Sequence, residues 1–324
     1  MYALELSTFG EPSEVITLVN LPDPQPPKAD EVLIGVEYAP VNHVDLLVVR
    51  GWYAVLPALP AGAGSEGVGR VLAVGEGVHH LNVGDRVLVP HPSPSWREQI
   101  VVPATDLFVL PPHADPQQLA MASINPSTGA LLLSEFVRLS PGDWVIQNAG
   151  NSGVGRAVIA FAKERGLRTV SLVRRQELID ELIAAGGDIV LLDGADVAAQ
   201  VAEATGNARI ALGLEGVGGA AGLSVAGSVA PGGTVVVYSS ITGQPNYFSP
   251  VDIVFRNLTV RGLWIDNPAV HNSSQFHESI KTGVRLMAEG QLHVPVAATY
   301  ALSEVKQALA HAQHGSGKVL LKIS

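Results

Sequence analysis

The sequence predicts an α/β protein in which a doubly wound parallel sheet is joined to a β-rich domain. Three observations carry this. Trp144 to Arg175 reads as strand, glycine-rich turn, helix and strand. Helical and apolar strand-like stretches then alternate as far as Tyr238. Before residue 117 the chain is a series of short β-type runs broken by turn signals.

Taken in order, those early runs are Val32 to Tyr38, Gly67 to Val74, Arg86 to Val89 and Gln99 to Val102. Proline clusters at Pro22 to Pro27 and Pro90 to Pro94 exclude long helices between them. The expected domain is barrel-like. From Asp115 the pattern turns helical over Gln117 to Val137, with an interruption near Asn125-Pro126.

The nucleotide unit opens at Gly142. Trp144-Val145-Ile146 has the composition of a buried strand, and Val154, Ala157, Val158, Phe161 and Ala162 recur at helical spacing. Gly166 stops that helix, and Thr169 to Val173 is β-branched and apolar. The expected elements that follow are a helix (Gln176 to Ala185), a strand (Ile189 to Leu192), a helix (Val197 to Thr205) and a strand (Ile210 to Leu214). A helix near Ala220 to Val229 and strands at Thr234 to Tyr238 and Thr259 to Ile265 complete the set. The remainder, a helix over His271 to Glu289 and a strand, helix and strand over Ala298 to Ile323, does not extend the alternation and is expected to return to the first domain. The expected division is therefore 1–117 with 267–324, and 118–266.

Between the first strand and helix lies Gly150-Asn151-Ser152-Gly153-Val154-Gly155. Small residues at a strand-to-helix junction let a pyrophosphate lie against backbone N–H groups at a helix N-terminus, where unpaired donors and the helix dipole favour anions. Ser152 replaces the middle glycine of the usual G-x-G-x-x-G and adds a hydroxyl. The competing explanation is a tight turn that binds nothing, although four small residues among six exceed what a turn requires. At the end of the second strand an NAD-binding unit usually places an acid for the ribose 2′-hydroxyl, whereas arginine suits a 2′-phosphate. Here Val173 is followed by Arg174 and Arg175, with no acid before Glu177, so the expected cofactor is NADPH; a solvated pair at a loop end is the alternative.

Composition narrows the function classes. A chain of 324 residues with 47% hydrophobic and 15% charged residues is globular and long enough for two domains. A net charge of −10 argues against nucleic acid or anionic membranes as partners. There are no cysteines, which excludes disulfides and thiolate metal sites. No apolar run reaches membrane-span length, and Met1 to Gly10 does not read as a cleaved signal. A cytoplasmic location is expected on those grounds. The adjacent pair His79 and His80 and the spaced pair His311 and His314 read as solvated surface.

With its β-rich domain, nucleotide unit and return segment, the chain resembles the medium-chain dehydrogenase/reductase superfamily over nearly its full length. That resemblance implies a GroES-like barrel beside a Rossmann domain. In the zinc-dependent branch a cysteine stands three residues before an Asp, and a His precedes the Glu of a G-H-E-G turn; here those places read Asn42-His43-Val44-Asp45 and Gly64-Ser65-Glu66-Gly67. Thiolate and imidazole are both replaced, so no catalytic zinc is expected.

Within the zinc-free branches, Ile146 to Gly155 (I-Q-N-A-G-N-S-G-V-G) is similar to mitochondrial-type trans-2-enoyl thioester reductases, as are Ile124-Asn125-Pro126-Ser127-Thr128, Gly166-Leu167-Arg168-Thr169 and Arg261-Gly262-Leu263-Trp264. Asn42, Asp45, Gly51, Tyr53, Pro57, Leu59 and Pro60 fit the same pattern. His43-Val44 and Ser65 depart from it, which bears on the substrate more than on the reaction class.

The resemblance implies NADPH-dependent hydride transfer to the β-carbon of a 2-enoyl thioester or enone, with Tyr53 as proton donor. A tyrosine of ordinary pKa, about 10, is protonated at neutral pH and can donate. The plainer role for Tyr53 is a pocket-lining aromatic. Asn42 is either a polar contact or a turn-capping amide, and Asp45 and Glu66 are expected to be structural. By the same resemblance Asn125, Thr128, Tyr238, Ser239, Leu263, Trp264, Ile265 and Lys318 fall near the cofactor, although Trp264 also suits core or interface and Lys318 an exposed strand end. Quinone reduction and dinucleotide binding without turnover stay open as alternatives. A homodimer paired through Thr259 to Ile265 is expected by analogy.

Overall fold

The computed structural model describes residues 1–314 and 317–324, with His314 described through its backbone alone. In chain order the strands are β1 (Tyr2–Leu6), β2 (Ile16–Asn20), β3 (Glu31–Val41), β4 (Ala61–Gly62), β5 (Gly67–Val74), β6 (Arg86–Val89), β7 (Gln99–Pro103), β8 (Trp144–Gln147), β9 (Arg168–Val173), β10 (Ile189–Leu192), β11 (Ile210–Glu215), β12 (Thr234–Val237), β13 (Thr259–Gly262), β14 (Val296–Ala301) and β15 (Lys318–Lys322). The helices are α1 (Pro12–Val15), α2 (His43–Arg50), α3 (Pro116–Leu119), α4 (Ile124–Ser134), α5 (Gly153–Glu164), α6 (Glu177–Ala184), α7 (Val197–Ala204), α8 (Ala221–Ser228), α9 (Pro268–His271), α10 (Ser274–Ala288) and α11 (Val305–His314). None of the described helices is long and apolar enough to cross a membrane.

Two compact units emerge. The first comprises Met1–Ile124, Met287–Gly290 and Val294–Ser324; the second comprises Asn125–Leu286 and Gln291–His293.

In the first unit β14, β15, β3, β5 and β6 form one sheet, with β7 also pairing β3; β1 joins β2 and β4 in a second sheet. Residues along β3 alternate in burial, with Val32, Ile34 and Val36 fully enclosed. That period of two turns one strand face toward the core. Leu4, Leu6, Val41, Trp96, Leu309 and Leu321 pack into one apolar cluster and Val32, Ile34, Val71, Val87 and Ile100 into another. Each such side chain contributes about 1.5–3 kcal/mol by leaving water. The return segment that forms β14, α11 and β15 belongs to this unit, as β15 lies antiparallel to β3.

In the second unit the strand order is β10-β9-β8-β11-β12-β13, all parallel. The order reverses between β8 and β11, and in such sheets ligands bind beyond the carboxyl ends of the strands at that reversal. Every residue of β8 is buried, as a central parallel strand covered on both faces requires.

Several expectations are adjusted. The helix over Gln117 to Val137 is two helices, α3 and α4, and the break precedes Asn125. Pro126 sits inside the first turn of α4, where its missing N–H would have no intrahelical partner anyway. The strand expected over Thr259 to Ile265 ends at Gly262, leaving Leu263, Trp264 and Ile265 outside it. The expected boundary at 117 falls at Ile124. The helix expected to return to the first domain instead groups mainly with the second: α10 is tied to α5 by an Arg285–Glu164 ion pair of 2.5 Å, and the chain leaves that unit only at Met287. His79 and His80 are exposed. His311 is not simply solvated, as its Nδ1 lies 3.0 Å from the Tyr300 hydroxyl; the side chain of His314 lies outside the described residues.

Candidate functional site

In the first unit the site residues are positioned by α2, a helix the apolar, β-branched run Val44 to Val49 did not advertise. Its start is held by a reciprocal pair: Asp45 Oδ2 accepts from the Asn42 backbone N–H at 2.7 Å, while the Asp45 N–H donates to the Asn42 backbone carbonyl at 3.1 Å. Its end is Gly51, left-handed at φ 76°, with Gly51 N–H donating to Val48 O and Trp52 N–H to Leu47 O. Such a left-handed stop turns the chain sharply. It delivers Trp52 and Tyr53 to the loop beyond, Trp52 being 71% exposed and Tyr53 half-buried.

Behind that loop Asn42 is the centre of a buried polar network. Its Nδ2 donates to Glu66 Oε1 at 2.8 Å, and Lys318 Nζ donates to its Oδ1 at 2.6 Å. Glu66 Oε2 accepts the backbone N–H groups of Ser123 and Ile124 at 3.0 and 2.9 Å. Thus Lys318, expected near the cofactor or at an exposed strand end, is half-buried here with its ammonium on Asn42. Burial raises the Glu66 carboxyl and lowers the Lys318 ammonium, with their mutual attraction opposing both shifts.

Burial also pushes Asp45 up to about 6, helped by nearby Glu66 and opposed by the Asn42 amide and Lys318. Its ordinary value is 3.8, so the folded state holds this proton more tightly than the unfolded chain. Stability from this group is therefore greatest below pH ~4 and declines as pH rises to about 6. At ~1.4 kcal/mol per pH unit, the loss is about 3 kcal/mol. Asp45→Asn keeps an oxygen for the Asn42 amide but cannot ionise. Urea denaturation at a series of pH values should show this part of the pH dependence gone in the variant; an unchanged slope between pH 4 and 6 would reject the assignment.

These residues do not suit zinc. Asn42 and Ser65 stand where the resemblance places ligands, and the Asn42 amide is committed at both ends to Glu66 and Lys318. Among the described residues no group of three His, Cys, Asp or Glu side chains is placed to hold a metal ion.

In the second unit the glycine turn joins β8 to α5. Ser152 caps α5 by accepting from Gly155 N–H at 3.1 Å. The glycines are demanded by close packing. A Cβ on Gly150 would meet Ser171 of β9 at 2.8 Å, one on Gly153 would meet the Asn125 side chain at 2.8 Å, and one on Gly155 would meet Ala149 O at 2.5 Å. Ala149 itself is left-handed at φ 50°, a strained conformation for a residue with a Cβ. Asn151 and Val154 complete the turn. The resulting cradle, at the start of a 12-residue amphipathic helix, fits a dinucleotide pyrophosphate.

Of the expected cofactor residues, the structure brings Asn125 and Tyr238 against this turn. Asn125 packs against Gly153, and Thr128 is buried on α4. Tyr238 and Ser239 follow β12, half-buried. Burial, and then Glu215, raise the Tyr238 phenol, while the Ser152 hydroxyl opposes them. Leu263 is buried, Ile265 is half-buried and Trp264 is 37% exposed. Arg174 and Arg175 lie exposed just beyond β9, with Arg175 3.5 Å from Glu177. An exposed pair of this kind contributes little stability, so both guanidinium groups are accessible to a phosphate.

One participant escaped the sequence reading. Glu215, fully buried at the end of β11, accepts the N–H groups of Val217 and Gly218 at 2.7 and 2.6 Å through Oε1 and the Asn148 amide through Oε2. Asn148 Oδ1 in turn accepts Gly216 N–H at 2.9 Å. The two residues stitch together the turns after β8 and β11, at the point where the strand order reverses. In Glu215→Gln the new amide would face the Asn148 amide donor to donor. A buried donor left unsatisfied costs about 1–3 kcal/mol, so NADPH binding should weaken roughly tenfold. Asn148→Asp combined with Glu215→Gln restores every pairing and should recover most of the loss in an NADPH titration; additive losses would show that the two residues do not act as a pair.

Comparison with known proteins agrees with this geometry. Residues 28–112 match the family model described as alcohol dehydrogenase GroES-like domain, and residues 153–289 that described as zinc-binding dehydrogenase. The chain is 35% identical over 314 residues to the mitochondrial enoyl-[acyl-carrier-protein] reductase of Bos taurus, covering 95% of this chain and 84% of that protein. Among solved structures it is similar to a putative NADPH:quinone reductase from Bacillus thuringiensis, with a TM-score of 0.90, 25% identity and coverage of 100% and 99% of the two chains. A mycobacterial protein solved with NADPH matches with a TM-score of 0.84 at 26% identity, over 99% and 100% of the chains.

The expected cytoplasmic location is corrected by these relatives. The enoyl reductases matched, from Bos taurus to Dictyostelium discoideum and Arabidopsis thaliana, are mitochondrial enzymes, so the cytoplasmic expectation does not stand. Surface charge and cysteine usage reflect folding and solubility, and do not encode the compartment. The chain belongs to the medium-chain dehydrogenase/reductase superfamily, in its zinc-independent branch, close to the enoyl thioester and quinone reductases.

Proposed function

We propose that the protein reduces the activated C=C bond of a 2-enoyl thioester with NADPH. The carrying observation is the likeness at 35% identity to an enoyl reductase over 95% of the chain, joined to a glycine cradle whose every added Cβ would collide. The coarser activity, NADPH-dependent and zinc-independent reduction of an activated double bond in an enoyl thioester or quinone-like substrate, holds for either substrate class.

When bound, NADPH supplies hydride to the substrate's β-carbon. The chain's own residues do the rest. The α5 N-terminus and the turn from Gly150 to Gly155 hold the pyrophosphate, and Arg174 and Arg175 hold the 2′-phosphate. Asn125, Thr128, Tyr238, Ser239, Leu263, Trp264 and Ile265 shape the cofactor's surroundings. Tyr53 gives its phenolic proton to the α-carbon and regains one from water, so hydride and proton together saturate the bond. Asn42, held by Glu66 and Lys318, keeps the start of α2 in place and with it the Tyr53 loop.

The substrate class is tested by following NADPH oxidation with crotonyl-CoA and with a naphthoquinone. Turnover of the thioester but not the quinone is expected. The reverse result would favour the quinone reading, which the Bacillus thuringiensis likeness supports. For the cofactor, charge-assisted hydrogen bonds of about 1.5–3 kcal/mol predict that Arg174→Ala with Arg175→Ala weakens NADPH by roughly 10- to 100-fold and leaves NADH unchanged. Equal loss for both nucleotides would reject phosphate selection by these arginines.

A homodimer is part of the same reading. The edge strand β13 is exposed along its whole length, and Val260 and nearby Phe255 are 39% and 82% exposed. An open, partly apolar edge invites pairing with another copy. Light scattering should give twice the chain mass, falling to the monomer in Val260→Asp; a wild-type monomer would end this assignment.

A further inference from the structure

We propose that Arg97 and the cavity it lines form a phosphate-binding site in the first unit, separate from the cofactor cradle. Arg97 follows Trp96, which is fully buried and fixed by two hydrogen bonds: its ring Nε1 donates to Pro40 O at 3.1 Å and its backbone N–H to Ala63 O at 3.0 Å. That anchoring holds the half-buried Arg97 at the wall of a cavity of about 440 Å³. Ser93, Pro94, Gln99, Pro24 and Pro103 line the same space. Gly62 of β4 makes room for the guanidinium, because a Cβ there would collide with Arg97 Nη2.

One edge of the guanidinium is uncompensated. Its Nε is buried without a hydrogen-bond partner, and among the described residues Arg97 forms no ion pair. Elsewhere in this unit Arg50, Arg70 and Arg86 all face carboxylates. Burial alone pushes the Arg97 guanidinium down, with no acidic group opposing it. A charged donor removed from water with no acceptor is costly. The group that relieves it is a compact oxyanion, which the planar fork grips through parallel N–H donors. Ser93 and Gln99 add uncharged polar groups, and the proline walls suit an apolar body attached to the anion. The phosphate comes either from free phosphate or from the phosphorylated carrier of a thioester substrate.

The test uses the full chain as wild type, Arg97→Gln and Arg97→Lys. Melting temperatures are measured against inorganic phosphate, with sodium chloride matching the ionic strength. Phosphate is expected to raise the wild-type midpoint by at least 2 °C at millimolar concentrations, to have no effect on Arg97→Gln, and to have less than half the effect on Arg97→Lys, which keeps the charge but loses the fork. No shift in the wild type, or an equal shift in Arg97→Gln, overturns the site.

Turnover then identifies the source. A tenfold higher KM for crotonyl-CoA in Arg97→Gln, with kcat and the KM for phosphate-free crotonyl N-acetylcysteamine unchanged, identifies the thioester carrier; unchanged values for both, with the phosphate-dependent melting shift lost, identify free phosphate. This second arm rests on the proposed thioester activity, whereas the melting arm does not, so failure of that activity leaves the site itself still tested.

Discussion

Gly155→Ala is expected to weaken NADPH binding by roughly a hundredfold while leaving a folded but less stable protein. The added Cβ would lie 2.5 Å from Ala149 O and 2.6 Å from Gly150 Cα and O. Those are backbone atoms of the same turn, so relief requires moving the N–H groups that would meet the pyrophosphate. Overpacking of this kind costs about 1–3 kcal/mol. Most of it falls on the bound conformation, which corresponds to roughly a ten- to hundredfold weaker Kd, and displaced donors add to the loss. Gly194→Ala is the matched control, since a Cβ there meets nothing within 4 Å. Fluorescence titration with NADPH and a thermal melt separate the two effects. Wild-type affinity in Gly155→Ala would show that the turn does not contact the cofactor.

Tyr53→Phe should retain NADPH binding and lose on the order of 10²- to 10⁴-fold in kcat for an enoyl thioester, the range for a positioned general acid. The substitution deletes one hydroxyl from a half-buried loop residue, so stability should change little. The deciding measurement is single-turnover NADPH oxidation with crotonyl-CoA, accompanied by an NADPH titration. If kcat is unchanged, Tyr53 is a wall of the pocket and another group protonates the α-carbon. A kcat loss with unchanged NADPH affinity also separates an acid from an aromatic that merely packs against the cofactor.

Much of the molecule could be read directly. Strands β5, β6 and β10 begin and end where alternation and composition place them, because their signal is local: β-branched and apolar residues at period two, bounded by turns. The glycine turn was equally readable as a run of small residues between a strand and a helix, although one of its neighbours, Asn125 beside Gly153, comes from α4. Where local signals conflicted, the reading was poorer. The stretch Val44 to Val49 was assigned to no element, yet it is helical, and the decisive cues were the capping pair Asn42 and Asp45 and the stop at Gly51. The helix α10 was recognised, but not the unit it joins, because an amphipathic pattern shows that a face is buried without showing against what.

By itself, then, the sequence determined the class of fold, the cradle for a phosphorylated dinucleotide and the loss of the metal ligands, each a matter of residue type at short range. Only the tertiary structure decided that Lys318 reaches Asn42 across 276 residues and that Glu215 closes on Asn148 across 67. A buried charge needs its partner within hydrogen-bonding distance, and the chain's path, not its local pattern, brings that partner there.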